Sequence, residues 1–206
     1  MKTRGNTACL FLYNYGMKRD EHPVLLFDSQ KEWEKWLSEN YEARGVWLKF
    51  AKKNSGHTSV NYADALDVAL CYGWIDSQTN SLDDAFYLQK FTPRGQRSIW
   101  SKINTAHIER LTRLGRMQSS GIAQVEAAKK DGRWERAYSS PETMQMPQDF
   151  LQLLATHKRA NEFFQTLNKT NRYAIAWRLE TAKKEETRQR RMQTILAMLE
   201  KGEKFH

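Results

Sequence analysis

Asp76 and Cys71 are the residues of this chain whose types and settings suit chemistry. Asp76 is the only carboxylate in Gly73-Trp74-Ile75-Asp76-Ser77-Gln78, and arginines follow at positions 94 and 97 in Phe91-Thr92-Pro93-Arg94-Gly95-Gln96-Arg97-Ser98-Ile99-Trp100-Ser101-Lys102-Ile103-Asn104. A carboxylate among rings and guanidinium groups serves a substrate as anchor or base, or it forms an ion pair that orients Arg94 or Arg97. Paired charges outnumber catalytic ones, which favours the ion pair. Cys71 closes Ala69-Leu70-Cys71 at the expected C-terminal end of a helix, the wrong end for lowering a thiol pKa, and reads as a small buried apolar residue. Neither is assigned as catalytic. Together Trp74, Asp76, Gln78, Arg94, Arg97, Trp100, Lys102 and Asn104 make a candidate ligand site. The rings supply area and the guanidinium forks supply direction for a flat or anionic ligand. Packing plus an Asp–Arg bridge is the competing use of the same residues.

Other chemistries find little support. His22, His57, His107, His157 and His206 stand singly, with no partner at metal-ligand spacing. Neither a glycine-rich phosphate loop nor a dinucleotide fingerprint is present, so no cofactor is expected. The chain carries 33 Lys/Arg against 24 Asp/Glu, a formal net charge of +9, and the excess is uneven. Residues 90–117 hold Lys90, Arg94, Arg97, Lys102, Arg110, Arg113 and Arg116 against Glu109 alone, and ten basic face five acidic residues from Lys169 onward. Such fields attract anions. Phosphate contacts there, with Tyr87, Phe91 and Trp100 stacking on bases, make a nucleic acid an alternative partner, although no recognisable nucleic-acid module is present. In Lys183-Lys184-Glu185-Glu186-Thr187-Arg188-Gln189-Arg190-Arg191 the i,i+4 spacing predicts a Glu186–Arg190 ion pair and leaves Lys183, Lys184, Arg188 and Arg191 in excess.

A chain of 206 residues suits one domain with a substantial core. Cys9 and Cys71 sit in unlike contexts, so a disulfide is not expected, which fits a reducing compartment. The apolar run Ala8–Tyr13 is shorter than the roughly 7–15 residues of a signal-peptide core, and no run approaches the ~20 of a membrane span. A cytoplasmic location is expected. Residues 1–22 are expected to be a poorly ordered extension, with Met17 an alternative start.

These residues must be held by elements that the periodicities predict. Ser29 and Glu32 form a capping box ahead of a helix burying Trp33, Trp36, Leu37 and Tyr41. Val46–Lys52 reads as a strand, and Asn61 with Asp64 opens a small apolar helix ended by Gly73. Trp74–Ser81 and Phe86–Thr92 read as a hairpin. Period-two alternation places Trp74, Asp76, Gln78 and Asn80 on one face. Helices follow. Ser101–Leu114 turns Ile103, Ile108, Leu111 and Leu114 inward and Arg110 and Arg113 outward, and a helix opened by Ser119/Ser120 buries Ile122 and Val125. After an extended linker, Pro141–Met146, come helices led by Pro147, around Phe163–Leu167, around Tyr173–Trp177, and over about Lys184–Lys201. The fold class is α+β, with a small antiparallel sheet of about three strands and a mostly helical second half.

Several blocks of the chain resemble a known family. They are Phe27-Asp28-Ser29-Gln30-Lys31-Glu32-Trp33, Gly45 through Lys53, Tyr62-Ala63-Asp64-Ala65-Leu66-Asp67, Gly73-Trp74-Ile75-Asp76, Phe91-Thr92-Pro93-Arg94, Ser98 through Asn104, Gly132-Arg133-Trp134, Asn171 through Lys184 and Glu186 through Arg191. The chain resembles the YdeI/OmpD-associated, or bacteriocin-protection, proteins from Pro23 to His206. The resemblance implies one domain over 23–206, with the family's helical C-terminal segment at about 141–206. It also implies a role in resistance to bacteriocins or antimicrobial peptides and, by name, association with a porin. It transfers no catalytic residues. The expected function is therefore a non-catalytic, stress-related binding protein for an anionic or aromatic ligand. An enzyme using Asp76 or Cys71, and a nucleic-acid binder, are the alternatives.

Overall fold

Ser29 and Glu32 start the first helix as their spacing requires. The Glu32 amide donates to Ser29 Oγ at 3.3 Å, and Glu32 Oε2 reaches back to the Asp28 amide at 3.0 Å. The computed structural model describes residues 22–204. The expected disorder of residues 1–22 and the alternative start at Met17 fall, apart from His22, outside the described residues.

The order is β1 (Val24–Leu25), α1 (Gln30–Asn40), β2 (Val46–Ala51), α2 (Tyr62–Cys71), β3 (Trp74–Ser81), β4 (Phe86–Pro93), α3 (Lys102–Arg113), α4 (Ser119–Lys130), α5 (Gln148–Ala155), α6 (Lys158–Gln165), α7 (Lys169–Glu180) and α8 (Glu185–Glu200). The protein is α+β. Among the described residues its sheet has four strands, ordered β1-β2-β4-β3, against the expected three or so. The added strand is the short β1, which runs parallel to β2; the other pairings are antiparallel. At two residues β1 is too short to show a periodicity.

Contacts divide the chain into two compact units. The first comprises residues up to Ser98 together with Ala106–Asp131; the second comprises Ile99–Thr105 and Gly132 onward. In the first, α1 and α2 pack together and α2 packs on β3. Its core centres on Trp33, which stacks on Trp36 at 5.4 Å, meets Trp74 edge-on at 6.4 Å and donates its indole N–H to Ala65 O. Gly121 on α4 lies against the end of α2, where an added Cβ would stand 2.1 Å from Cys71 O. Only a residue without a side chain permits that approach. In the second unit Phe150, Leu154, Phe164, Ile175, Leu179 and the inner face of α8 form one apolar cluster.

Several inward assignments need correction. Ile108 and Leu111 are buried, but Ile103 and Leu114 are 46% and 61% exposed, and Ile122 is also exposed. A helix of this length covers only its middle turns when neighbours pack on part of it. Tyr41 is exposed because it falls at the C-cap of α1. The α4 N-cap is Gln118, while Ser120 donates to Tyr72 O. The linker after Pro141 opens with a turn closed by Thr143 N–H to Ser140 O at 3.1 Å.

Candidate functional site

The eight residues singled out in the sequence are divided between the units: Trp74, Asp76, Gln78, Arg94 and Arg97 in the first, and Trp100, Lys102 and Asn104 in the second. Trp74 is 1% exposed and donates its indole N–H to Tyr41 O at 2.8 Å. Trp100 is also 1% exposed, 5.1 Å from the Trp134 ring. Neither ring has a face free for a ligand, so the reading of open, stacking tryptophans gives way to core packing. Arg94 is buried, with Nη1 donating to Ser98 Oγ at 3.4 Å, whereas Arg97 and Gln78 are exposed. Lys102 Nζ donates to Ser139 Oγ at 3.0 Å, and Ser139 in turn donates to Glu180. The Asn104 amide donates to Ser101 Oγ, which caps the start of α3.

Asp76 does not pair with Arg94 or Arg97. Its Oδ2 accepts from the Tyr62 hydroxyl at 2.8 Å. Burial, then the Asp76 charge, push the Tyr62 phenol upward, so it stays a neutral donor. A one-residue register shift lies between Asp76 and Thr79, a β-bulge. Asp76 opposes Phe91 and Thr79 opposes Gln89, so beyond the bulge Thr79 and Ser81 take the face that alternation assigned to Gln78 and Asn80. Cys71 is fully buried, and burial pushes its thiol up to about 11, which leaves little thiolate near neutrality.

The basic surface is also partly committed. Arg110 Nη2 donates to Asp67 Oδ1 and Oδ2 at 2.6 and 2.7 Å, and His107 Nδ1 lies 2.9 Å from Asp67 Oδ1. Asp67 is 8% exposed. Burial alone would raise its carboxyl, but the Arg110 and His107 contacts outweigh it and hold the carboxyl low. Arg110 is therefore not simply outward. Arg116 lies 4.0 Å from Glu34. Near the C-terminus Arg188 forms a two-nitrogen bridge to Asp149 rather than adding to an unpaired excess. Arg191 donates to Arg178 O at 2.6 Å. The expected Glu186–Arg190 pair is absent among the described residues, while Gln189, at the same i,i+4 spacing, donates to Glu185 at 2.7 Å.

One cleft lies wholly in the second unit. Its volume is about 570 Å³, and it is lined by Pro141, Glu142, Met144 and Met146 of the connecting segment, Leu151 of α5, Phe164, Gln165 and Leu167 at the end of α6, and Lys169, Arg172, Tyr173 and Ala176 of α7. Asn168 fixes the start of α7 by accepting from the Asn171 amide at 2.9 Å, which sets Lys169 and Arg172 in its first turns. Arg172 Nη2 donates to Gln165 O at 2.9 Å and approaches Phe164 O at 3.5 Å, capping carbonyls at the end of α6. Its Cζ lies 5.1 Å from the Phe164 ring centroid. Nε is buried with no hydrogen-bond partner among the described residues. On the other wall, Ser140 O accepts from the Thr143 and Met144 amides, and Ser140 Oγ donates to Glu142 Oε2 at 3.2 Å. Burial keeps the Tyr173 hydroxyl raised, a neutral donor at the rim.

Comparison with known proteins bears on this unit. A family model described as "Bacteriocin-protection, YdeI or OmpD-Associated" matches residues 143–202. Residues 143–202 belong to that family. The family segment holds most of the cleft, including Lys169, Arg172 and Tyr173. Residues 25–124 match a different model, a domain of unknown function designated DUF8412. An alignment of 86 positions is 34% identical to the tRNA 5-methylaminomethyl-2-thiouridine biosynthesis bifunctional protein MnmC of Campylobacter concisus (strain 13826); it covers 36% of this chain and 14% of that protein. No solved structure matches the chain. Among the described residues no helix is long and apolar enough to cross a membrane, and no cluster of His, Cys, Asp or Glu could hold a metal.

The sequence held signals for what was missed. Asp67 interrupts Ala65-Leu66-Asp67-Val68-Ala69, and a carboxylate in an apolar helical run needs a cation. His107 and Arg110 stand at i,i+3 on the helix that supplies it. Lys169 and Arg172 share the same spacing just after the Asn168 cap. Their meeting with Glu142 depends on tertiary packing and has no local signature.

Proposed function

We propose that this chain is a non-catalytic binding protein whose site is the cleft of the second unit, and that its ligand is a small amphipathic anion. The observation that carries the reading is Arg172. Its guanidinium is held by main-chain oxygens and the Phe164 ring instead of a carboxylate, its Nε has no hydrogen-bond partner among the described residues, and it lines a cleft walled by Met144, Met146, Leu151, Leu167 and Phe164. An anchored cation beside apolar side chains suits a carboxylate or phosphate head on an apolar body, and the volume lies in the range of small-molecule sites. The buried Cys71 thiol and the phenol-bonded Asp76 carboxylate support a binding role over a catalytic one. Resistance to bacteriocins or antimicrobial peptides, the role in the family's name, is proposed as the setting in which such binding acts.

Thermal unfolding with and without octanoate tests the reading. Octanoate at concentrations well above its dissociation constant raises the melting temperature, as any ligand selective for the native state must. Arg172→Gln removes the rise. A rise of equal size in the variant, or none in the wild type, rejects the proposal.

A further inference from the structure

Three formal charges line the cleft: Glu142 on the connecting segment, and Lys169 and Arg172 on α7. Glu142 and Lys169 are exposed and Arg172 is half-buried, and none of the three is in an ion pair among the described residues. Each is positioned by neutral groups. Pro141 and Glu142 occupy the centre of a turn closed from Thr143 N–H to Ser140 O, and Ser140 Oγ donates to Glu142 Oε2. The Arg172 guanidinium rests on Gln165 O and the Phe164 ring. Lys169 stands in the first turn of α7 beside the Asn168 cap.

We infer that the cleft takes a dipolar ligand of about dipeptide size, with a free ammonium at one end, a free carboxylate at the other and apolar side chains between. The inference rests on the amphipathic-anion reading and adds a second pole to it. Glu142 receives the ammonium, Arg172 and Lys169 receive the carboxylate, and Met144, Met146 and Leu151 cover the apolar body. A dipolar ligand answers both signs of charge, whereas a simple anion leaves the Glu142 carboxylate with no cationic partner. Charge-assisted hydrogen bonds at two ends fix length and direction, so removing either charge from the ligand weakens binding markedly.

Titration calorimetry on the full chain tests this with four probes: the dipeptide Leu-Phe, N-acetyl-Leu-Phe, Leu-Phe-amide and octanoate. Leu-Phe binds tightest, and the two blocked peptides each bind about tenfold more weakly or worse, the loss expected for one charge-assisted contact. Glu142→Gln lowers Leu-Phe to the level of the acetylated peptide and leaves the acetylated peptide unchanged. Arg172→Gln lowers Leu-Phe to the level of the amide. Lys169→Gln gives a second reading at the carboxylate end, because the Lys169 ammonium makes no hydrogen bond or ion pair among the described residues; it weakens Leu-Phe and octanoate but not the amide. If N-acetyl-Leu-Phe and octanoate bind as tightly as Leu-Phe and Glu142→Gln changes nothing, the dipolar inference fails while the anion site stands. If no probe with a free carboxylate binds, both fail.

Discussion

Arg172 lays its guanidinium over the ring of Phe164, with Cζ 5.1 Å from the centroid, and directs Nη2 to the carbonyl of Gln165 at 2.9 Å. One side chain thus closes the end of α6 and keeps its charge uncommitted to any carboxylate. The capping is structural, and the cleft that Arg172 lines gives the residue a second use.

Asp67 governs part of the acid sensitivity. A carboxyl held low in the folded state contributes stability above the ordinary carboxylate range and loses it as pH falls through the folded value. Urea unfolding should therefore show stability declining from about pH 4 downward. Asp67→Asn should cost about 2 kcal/mol at neutral pH, because Arg110 and His107 lose a charged acceptor. It should also flatten the acid limb. Some slope survives in the variant, since Arg188 holds Asp149 low in the same way.

Gly121→Ala should be strongly destabilising, by about 2 kcal/mol or more, because the new Cβ meets the Cys71 carbonyl at 2.1 Å, and backbone on both sides must move. Gly95→Ala, with nothing within 4 Å, is the control and should leave the melting temperature nearly unchanged. Calorimetric melting of the two variants checks both.

Trp74 and Arg97, joined in one candidate site by the sequence, should separate under mutation. Trp74→Phe loses the hydrogen bond to Tyr41 O and part of a core contact, at a cost of about 1–2 kcal/mol. Arg97→Ala removes an exposed side chain and should stay within about 0.5 kcal/mol. Denaturant midpoints decide it.

The first-half fold was legible in the sequence because its signals are local. Ser29 with Glu32 and Asn61 with Asp64 cap their helices as spacing predicts, and Trp74–Ser81 forms the strand that alternation marks. The two-residue β1 carries no period, and the bulge after Asp76 reverses a face without altering composition. The candidate site was harder to read. Tryptophan beside arginine looks the same in sequence whether the ring is buried or open, and only packing buries Trp74 and Trp100. The Glu142, Lys169 and Arg172 cleft joins residues far apart in the chain whose individual contexts are ordinary.

Cys71 should be chemically silent in the native state. In a Cys9→Ser background, 5,5′-dithiobis(2-nitrobenzoate) at pH 8 should react with Cys71 only at the rate of unfolding, because the thiol is buried and pushed up to about 11. Rapid labelling of the folded chain would contradict the placement of Cys71 beneath Gly121.

Amide chemical-shift mapping of the 15N-labelled chain during titration with octanoate tests the central claim most directly. Saturable shifts centred on Glu142, Met146, Leu151, Lys169 and Arg172 are expected, and Arg172→Gln abolishes them. Shifts centred instead on Asp76 and Arg97, or no saturable shifts at all, would contradict that claim.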